Sequence, residues 1–264
     1  MSFLSFTSMK KTFFAGLLLM AALQSANAQK IVLHKTDGQT IECSVSELDS
    51  ITFEDDGFIV VDEHEWVDLS LPSGTLWATC NVGANSPEEY GDYFAWGETK
   101  PKKNYSWNTY TLCNGEYNTL TKYCTNNNWG SDGFVDNITE LEPEDDVATA
   151  NWGNGWQMPS NEQIEELCTN TTVIWTTQDG ANGILFTSKN NNNNIFLPAA
   201  GWQDEKSTND GKGSSVHLWS RTLYTFYPVE ACRCYFTGFD NRLYIDSGSR
   251  YIGRSVRPVR IKTR

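Results

Sequence analysis

Three histidines, seven cysteines and a surplus of carboxylates are the groups in this chain that could carry chemistry. An enzyme would pair a nucleophile with a base, or gather metal ligands at short recurring intervals. His34, His64 and His217 instead stand far apart. There is no Gly-x-Ser-x-Gly, no His-Glu-x-x-His, no Walker loop and no Gly-x-Gly-x-x-Gly. No Cys-x-x-Cys and no histidine pair supports zinc. Glu140, Glu142, Glu144, Asp145 and Asp146 cluster around Pro143. The plain reading is a helix start, with proline at the first position and acids facing the dipole; a calcium loop is the sharper reading, but the spacing matches none. A glycosidase pair is defined by a separation of ~5–10 Å, which a sequence does not display. The pattern favours binding over catalysis, so no catalytic residue, metal or cofactor is assigned.

Binding chemistry concentrates near the C-terminus. From Ser220 to Arg260 there is no Lys, Gln, Met, Trp or His and a single Glu, Glu230, while Tyr, Phe, Arg, Ser, Asp and Cys recur. Tyr, Arg and Ser make adaptable recognition surfaces at modest entropic cost. Glu230–Thr237 and Asn241–Asp246 read as two strands around a short turn at Gly238-Phe239-Asp240. Side chains alternate along a strand. Burying Cys232, Cys234 and Phe236 with Leu243 and Ile245 therefore turns Arg233, Tyr235, Arg242, Tyr244 and Asp246 to the other side. Such aromatic and charged groups are enriched at binding hot spots. Tyr224, Phe226 and Tyr227 from a loop, and Tyr251 downstream, extend the candidate ligand-binding set. The plain alternative is a solvated strand face.

The elements that must position these residues are short. A small N-terminal β unit spans 29–62: Ile31–Leu33, an Asp37-Gly38 turn, Thr40–Cys43, Ser50–Phe53, an Asp55-Asp56-Gly57 turn and Phe58–Val61. From Trp66 the texture changes. Trp66–Leu69 and Leu76–Ala78 are strand-like around Pro72-Ser73-Gly74. Residues 100–135 read as a polar, aromatic insertion holding one short helix near Tyr117–Cys124. The clearest helix is Ser160–Thr169, where Ser160 and Gln163 match a capping box. Strands are expected at Thr172–Thr176, Gly183–Ser188, Ile195–Leu197, His217–Ser220, Ala231–Thr237, Arg242–Asp246 and Ser255–Ile261, with Asn190–Asn194 as a hairpin loop.

Lys10 and Lys11, the apolar run Thr12–Leu23 and Ala26-Asn27-Ala28 have the form of a signal peptide. Residues 1–28 are thus expected to be removed on export, leaving Gln29 first and no membrane span. The run is shorter than the ~20 residues a span needs. The mature chain is then secreted, periplasmic or on the cell surface. A net charge of −13 disfavours nucleic acid as a partner. An oxidising compartment permits disulfides, with Cys113 and Cys124 the best local pair and one cysteine of seven left over. Ten Trp, 11 Tyr and 13 Phe suit a strand-and-loop domain with an aromatic core.

Six phrases go beyond composition. They are Val67-Asp68-Leu69-x-Leu71-Pro72-Ser73-Gly74-Thr75-Leu76-Trp77-Ala78, Tyr93–Glu98, Trp156–Ser160, Phe196–Gly201, Leu218-Trp219-Ser220 and Ser255–Val259. In this order the chain from 66 to 261 resembles the Fib_succ_major paralogous-domain family of secreted bacterial proteins. The resemblance implies an α+β, C-type-lectin-like fold, shared with formylglycine-generating-enzyme-type domains: short strands, one clear helix and long loops over 66–264, preceded by the small β unit. It also implies that Trp77, Trp96, Trp156 and Trp219 fill the core.

The expected function is a secreted or cell-surface binding or adhesion protein. It would recognise an extracellular protein or glycan through its C-terminal strands and loops, a hypervariable ligand face being one form of this. The Glu-Pro-Asn, Gln-Pro-Asp and Trp-Asn-Asp motifs of calcium-dependent lectins are missing. The alternatives are an extracellular enzyme related to formylglycine-generating-type oxidases, for which Cys232-Arg233-Cys234 is the nearest copper-binding candidate, and a structural surface subunit.

Overall fold

The computed structural model describes residues 30–34, 40–44, 50–53, 59–62, 64–153, 155–206, 210–238 and 242–261. The expected signal peptide, the turns at Asp37-Gly38 and Asp55-Asp56-Gly57, and residues 239–241 at the tip of the C-terminal hairpin lie outside the described residues. The chain divides into two compact units between Glu65 and Trp66. In the first, β1 (Lys30–His34) pairs antiparallel with β2 (Thr40–Ser44), and β3 (Ser50–Phe53) with β4 (Ile59–Asp62).

The second unit is of α+β type, built from small antiparallel sheets and one clear helix. One sheet is β5 (Trp66–Asp68), β6 (Thr75–Ala78) and β13 (Val259–Ile261), with β6 central. A second is β7 (Thr171–Gln178), β8 (Ala181–Ser188) and β9 (Asn194–Pro198), and a third is β10 (Ser215–Leu223), β11 (Glu230–Thr237) and β12 (Arg242–Ser249). No helix among the described residues is long and apolar enough to cross a membrane.

Helix α1 (Val147–Trp152) is short and α2 (Asn161–Asn170) is the clear one. Helix α2 starts where its sequence says: Ser160 Oγ accepts from the Gln163 amide at 3.2 Å, and Gln163 Oε1 accepts from the Ser160 amide at 2.9 Å. It lays Ile164 and Leu167 on a core shared with Leu69, Trp77, Phe186, Leu218, Cys234, Phe236 and Val259. A second core gathers Phe94, Trp96, Tyr123, Trp219 and Val256. Trp77, Trp96, Trp156 and Trp219 are all buried, and each large ring removes apolar area that such short strands could not supply.

Four local expectations need correction. First, α1 begins at Val147, not at Pro143. Asp146 is the cap, its carboxylate accepting from the amides of Ala148 (2.9 Å), Thr149 (3.0 Å) and Met158 (2.8 Å). Second, Tyr117–Cys124 is not helical. Its backbone groups are taken by tertiary partners: Asp136 accepts from the Tyr123 and Cys124 amides, and the Leu120 amide donates to Trp129. The insertion holds only short 3-10 turns at Trp107–Thr109 and Ser131–Gly133.

Third, only Val259–Ile261 of Ser255–Ile261 forms a strand. Upstream, Pro258 has no amide hydrogen and Arg257 turns inward to bond backbone carbonyls. Fourth, Cys113 and Cys124 are separate free thiols, each donating to nearby carbonyls (Trp107 at 3.4 Å, Asn126 at 3.2 Å).

Asp146 holds both the helix start and the Trp156–Ser160 segment. Asp146→Ala is expected to lower stability by about 2 kcal/mol in urea titrations, the sum of a lost cap and an orphaned amide. Asp146→Asn, which keeps one acceptor oxygen, should lose less than half of that.

Candidate ligand-binding face

The third sheet sets the site. Its register pairs Trp219 with Arg233 and Arg233 with Asp246, then His217 with Tyr235 and Tyr235 with Tyr244. One face carries Val216, Leu218, Cys234 and Phe236 into the core under α2, with Leu243 and Ile245 packed against it. Strand alternation therefore presents Trp219, His217, Arg233, Tyr235, Tyr244 and Asp246 on the other face.

These residues interlock. The rings of His217 and Tyr235 stack at 5.6 Å and 7°, and those of Tyr235 and Tyr244 at 4.7 Å and 12°. Trp202 meets His217 edge-on at 4.7 Å. The Arg233 guanidinium lies 4.7 Å over the Tyr235 ring. It donates through Nε to Asp246 Oδ1 (2.8 Å) and through Nη2 to Asp246 Oδ2 (3.3 Å). It also reaches His217 Nδ1 through Nη1 at 3.3 Å. A guanidinium only donates, so Nδ1 is the acceptor and Nε2 carries the proton, directed at Ser215 Oγ 3.2 Å away. Burial, with Arg254 and Arg233 adding repulsion, pushes the His217 pKa down to about 2, so the imidazole is neutral at any ordinary pH.

The candidate residues from the sequence fall into two groups. Arg233, Tyr235, Tyr244 and Asp246 belong to this ladder; Arg242, beside Thr237 at its end, is exposed. Arg233 is less outward than strand alternation implies, because it spans from surface Asp246 to buried His217. Tyr224, Phe226 and Tyr227 lie in the β10–β11 connection, whose β11 end at Glu230 is five residues, about 17 Å, along the strand from Tyr235. They form a second patch, with Tyr227 against Trp129 at 6.0 Å and Trp129 against Tyr117 at 5.7 Å. Phe226 and Tyr227 are 78% and 54% exposed. Tyr251 packs on Trp107 at 5.1 Å.

Sequence reasoning missed His217, Trp202 and Arg254. Arg254 is 3% exposed and its guanidinium stacks 4.2 Å over Trp219. Neither its Nε nor its Nη1 has an acceptor, and no carboxylate among the described residues forms an ion pair with it. A buried donor left unpaired costs about 1–3 kcal/mol.

Its neighbours in sequence are buried as deeply and fully bonded. Arg250 donates to Tyr110 Oη and to the carbonyls of Tyr123, Pro228 and Lys122. Arg257 donates to Asn81 Oδ1 and to the carbonyls of Ala78, Thr79 and Phe196. Gly248, opposite Ala231 in β12, makes room at the same place. A Cβ there would stand 2.7 Å from Arg254 Nη2 and 3.2 Å from Arg233 Nε.

Other reactive groups are tied down. Glu142, Glu144 and Asp145 converge, but on the Lys122 ammonium, at 2.6, 3.4 and 2.6 Å. Cys234 is buried against Cys168, and this thiol contact together with burial raises its pKa. Burial pushes Cys232 up to about 11, so both remain thiols near neutral pH. Comparison with family models, with curated proteins and with solved structures returned no match.

Proposed function

We propose that this chain is an exported binding domain with a C-type-lectin-like fold, related to the Fib_succ_major family, whose β10–β12 face engages an extracellular protein or glycan. The observation that carries this reading is the His217–Tyr235–Tyr244 stack with Arg233 laid across it. Such a ladder is rigid before a ligand arrives, so little side-chain entropy is lost on contact. Its edge is open: Tyr235 and Tyr244 are half-buried and Asp246 and Arg242 exposed. The acidic cluster and His217 are engaged structurally, the first by Lys122 and the second within the ladder.

The test is a glycan and protein array probed with the exported protein, followed by affinity measurement on the ligand it identifies. Tyr235→Ala and Tyr244→Ala are each expected to weaken binding by about 2 kcal/mol, roughly 30-fold, read beside their melting temperatures because Tyr235 also packs on His217 and under Arg233. Wild-type affinity in both variants would remove the ligand from this face and direct attention to the Tyr117–Trp129–Tyr227 patch.

A further inference from the structure

We propose that Cys168 and Cys234 are a disulfide site that fastens the end of α2 to the underside of the β10–β12 face. The inference goes beyond the binding reading and takes from it only the oxidising compartment that export supplies.

All seven cysteines are free thiols in this structure. Cys113 and Cys124 donate to the carbonyls of Trp107 and Asn126, Cys232 to that of Leu223 at 3.8 Å, and Cys80 meets the Thr79 hydroxyl at 3.5 Å. Cys168 and Cys234 instead meet each other, thiol to thiol.

The packing of α2 on β11 sets up this contact. Cys234 lies with Phe236 on the core side of β11, and Cys168 packs against the same cluster from the helix. Two residues before Cys234, Cys232 lies close enough to Glu162 and Glu165, in the first half of α2, for their charges to act on it. Helix and strand therefore run in the same sense. From Glu165 to Cys168 the helix rises about 4.5 Å, and from Cys232 to Cys234 the strand advances about 6–7 Å. The two cysteines thus come level at the last turn of α2. A disulfide forms only between side chains that face one another at short range, as these do. Cys234 is buried, while Cys168 is half-buried and within reach of a small reagent.

The oxidant is a second disulfide, small or carried by another protein. Cys168 Sγ attacks it and expels one thiol, which takes up the Cys168 proton. Cys234 Sγ then attacks the Cys168 sulfur of the mixed disulfide and expels a second thiol, which takes up the Cys234 proton. Two thiols of the chain are oxidised, one external disulfide is reduced to two thiols, and one S–S bond remains. The loop it closes carries β7, β8, β9 and β10, so the crosslink restricts a long stretch of the unfolded chain. Cys234 also stands between Arg233 and Tyr235, so the bond anchors the strand that presents both.

The experiment is oxidation of the reduced full chain with oxidised glutathione, then alkylation, proteolysis and mass spectrometry. The peptides of Cys168 and Cys234 are expected to be joined, and to separate on reduction. The linked chain should melt about 10 °C above the reduced one. Cys168→Ser, at a half-buried helix position, should stay folded and lose both the link and the rise, whereas Cys232→Ser should keep both.

Alkylated thiols at both positions in an oxidised, folded chain overturn the site. So does a chain that stops with glutathione on Cys168, a link from Cys168 to Cys232, or a linked chain that melts no higher than the reduced one. None of these outcomes bears on array binding by Tyr235 and Tyr244, and none depends on export, because the oxidant is added.

Discussion

Arg257→Met is expected to destabilise the protein by about 4 kcal/mol, and Arg254→Met to leave stability within about 1 kcal/mol of wild type. The two side chains are of one type, three residues apart and almost equally buried. They differ in what is left behind. Without Arg257, the Asn81 side chain and the carbonyls of Ala78, Thr79 and Phe196 lose a donor inside the core. Those groups join the end of β6 to the middle of β9, so the damage spreads across two sheets. Removing Arg254 orphans nothing, because its Nε and Nη1 already lack acceptors, and a methionine can still cover the Trp219 ring. Urea titrations of the two variants beside wild type measure the contrast; equal losses would show that burial alone, and not hydrogen bonding, sets the worth of these arginines.

Stability is expected to fall by about 3 kcal/mol between pH 7 and pH 4 through His217 alone. In the unfolded chain a histidine takes up a proton near pH 6.5. In the fold, burial against Arg254 and Arg233, with Trp202, Tyr235 and Ser215 closing the remaining sides, holds that proton off until about pH 2. Above pH 6.5 both states are neutral and the group is silent. Below it only the unfolded state gains the proton, so acid favours unfolding at about 1.4 kcal/mol per pH unit. Unfolding free energies of wild type and His217→Gln, measured from pH 7 to pH 4, should diverge in slope by that amount. Parallel profiles would mean that the imidazole is protonated in the native state.

Much of this architecture is legible where the signal is local. The Ser160–Gln163 box gives the start of α2, and alternation along β11 and β12 sorts Cys234 and Phe236 from Arg233 and Tyr235. What is not legible depends on distant partners. His217 lies in an apolar run, Ser215–Ser220, whose strand is buried on both faces and so shows no alternation. Its place in the ladder comes from pairing with β11, and a register shift between Trp219 and Leu223 breaks that pairing. The acidic cluster reads as a helix start or a cation loop because the cation that fills it, Lys122, comes from the insertion about twenty residues earlier. Tyr117–Cys124 misleads for a similar reason: Asp136 captures the amides that a helix would need. That Arg254 lacks acceptors, while Arg250 and Arg257 have them, follows from which carbonyls line each burial site, and sequence carries no trace of it.

The pairing of β13 with β6 also has a consequence for when this unit can exist. The Arg257 bond to Ala78 joins residues 179 positions apart, and β6 has β13 as its partner on one side. A ribosome that has delivered the chain as far as the β12 strand has made every other element of the unit yet has nothing to close it. Long-range closure of this kind is slow, since chain entropy is lost before contacts compensate. The segment is the last part of the unit to be synthesised, and in a chain exported as proposed above the unit would be completed only on the far side of the membrane.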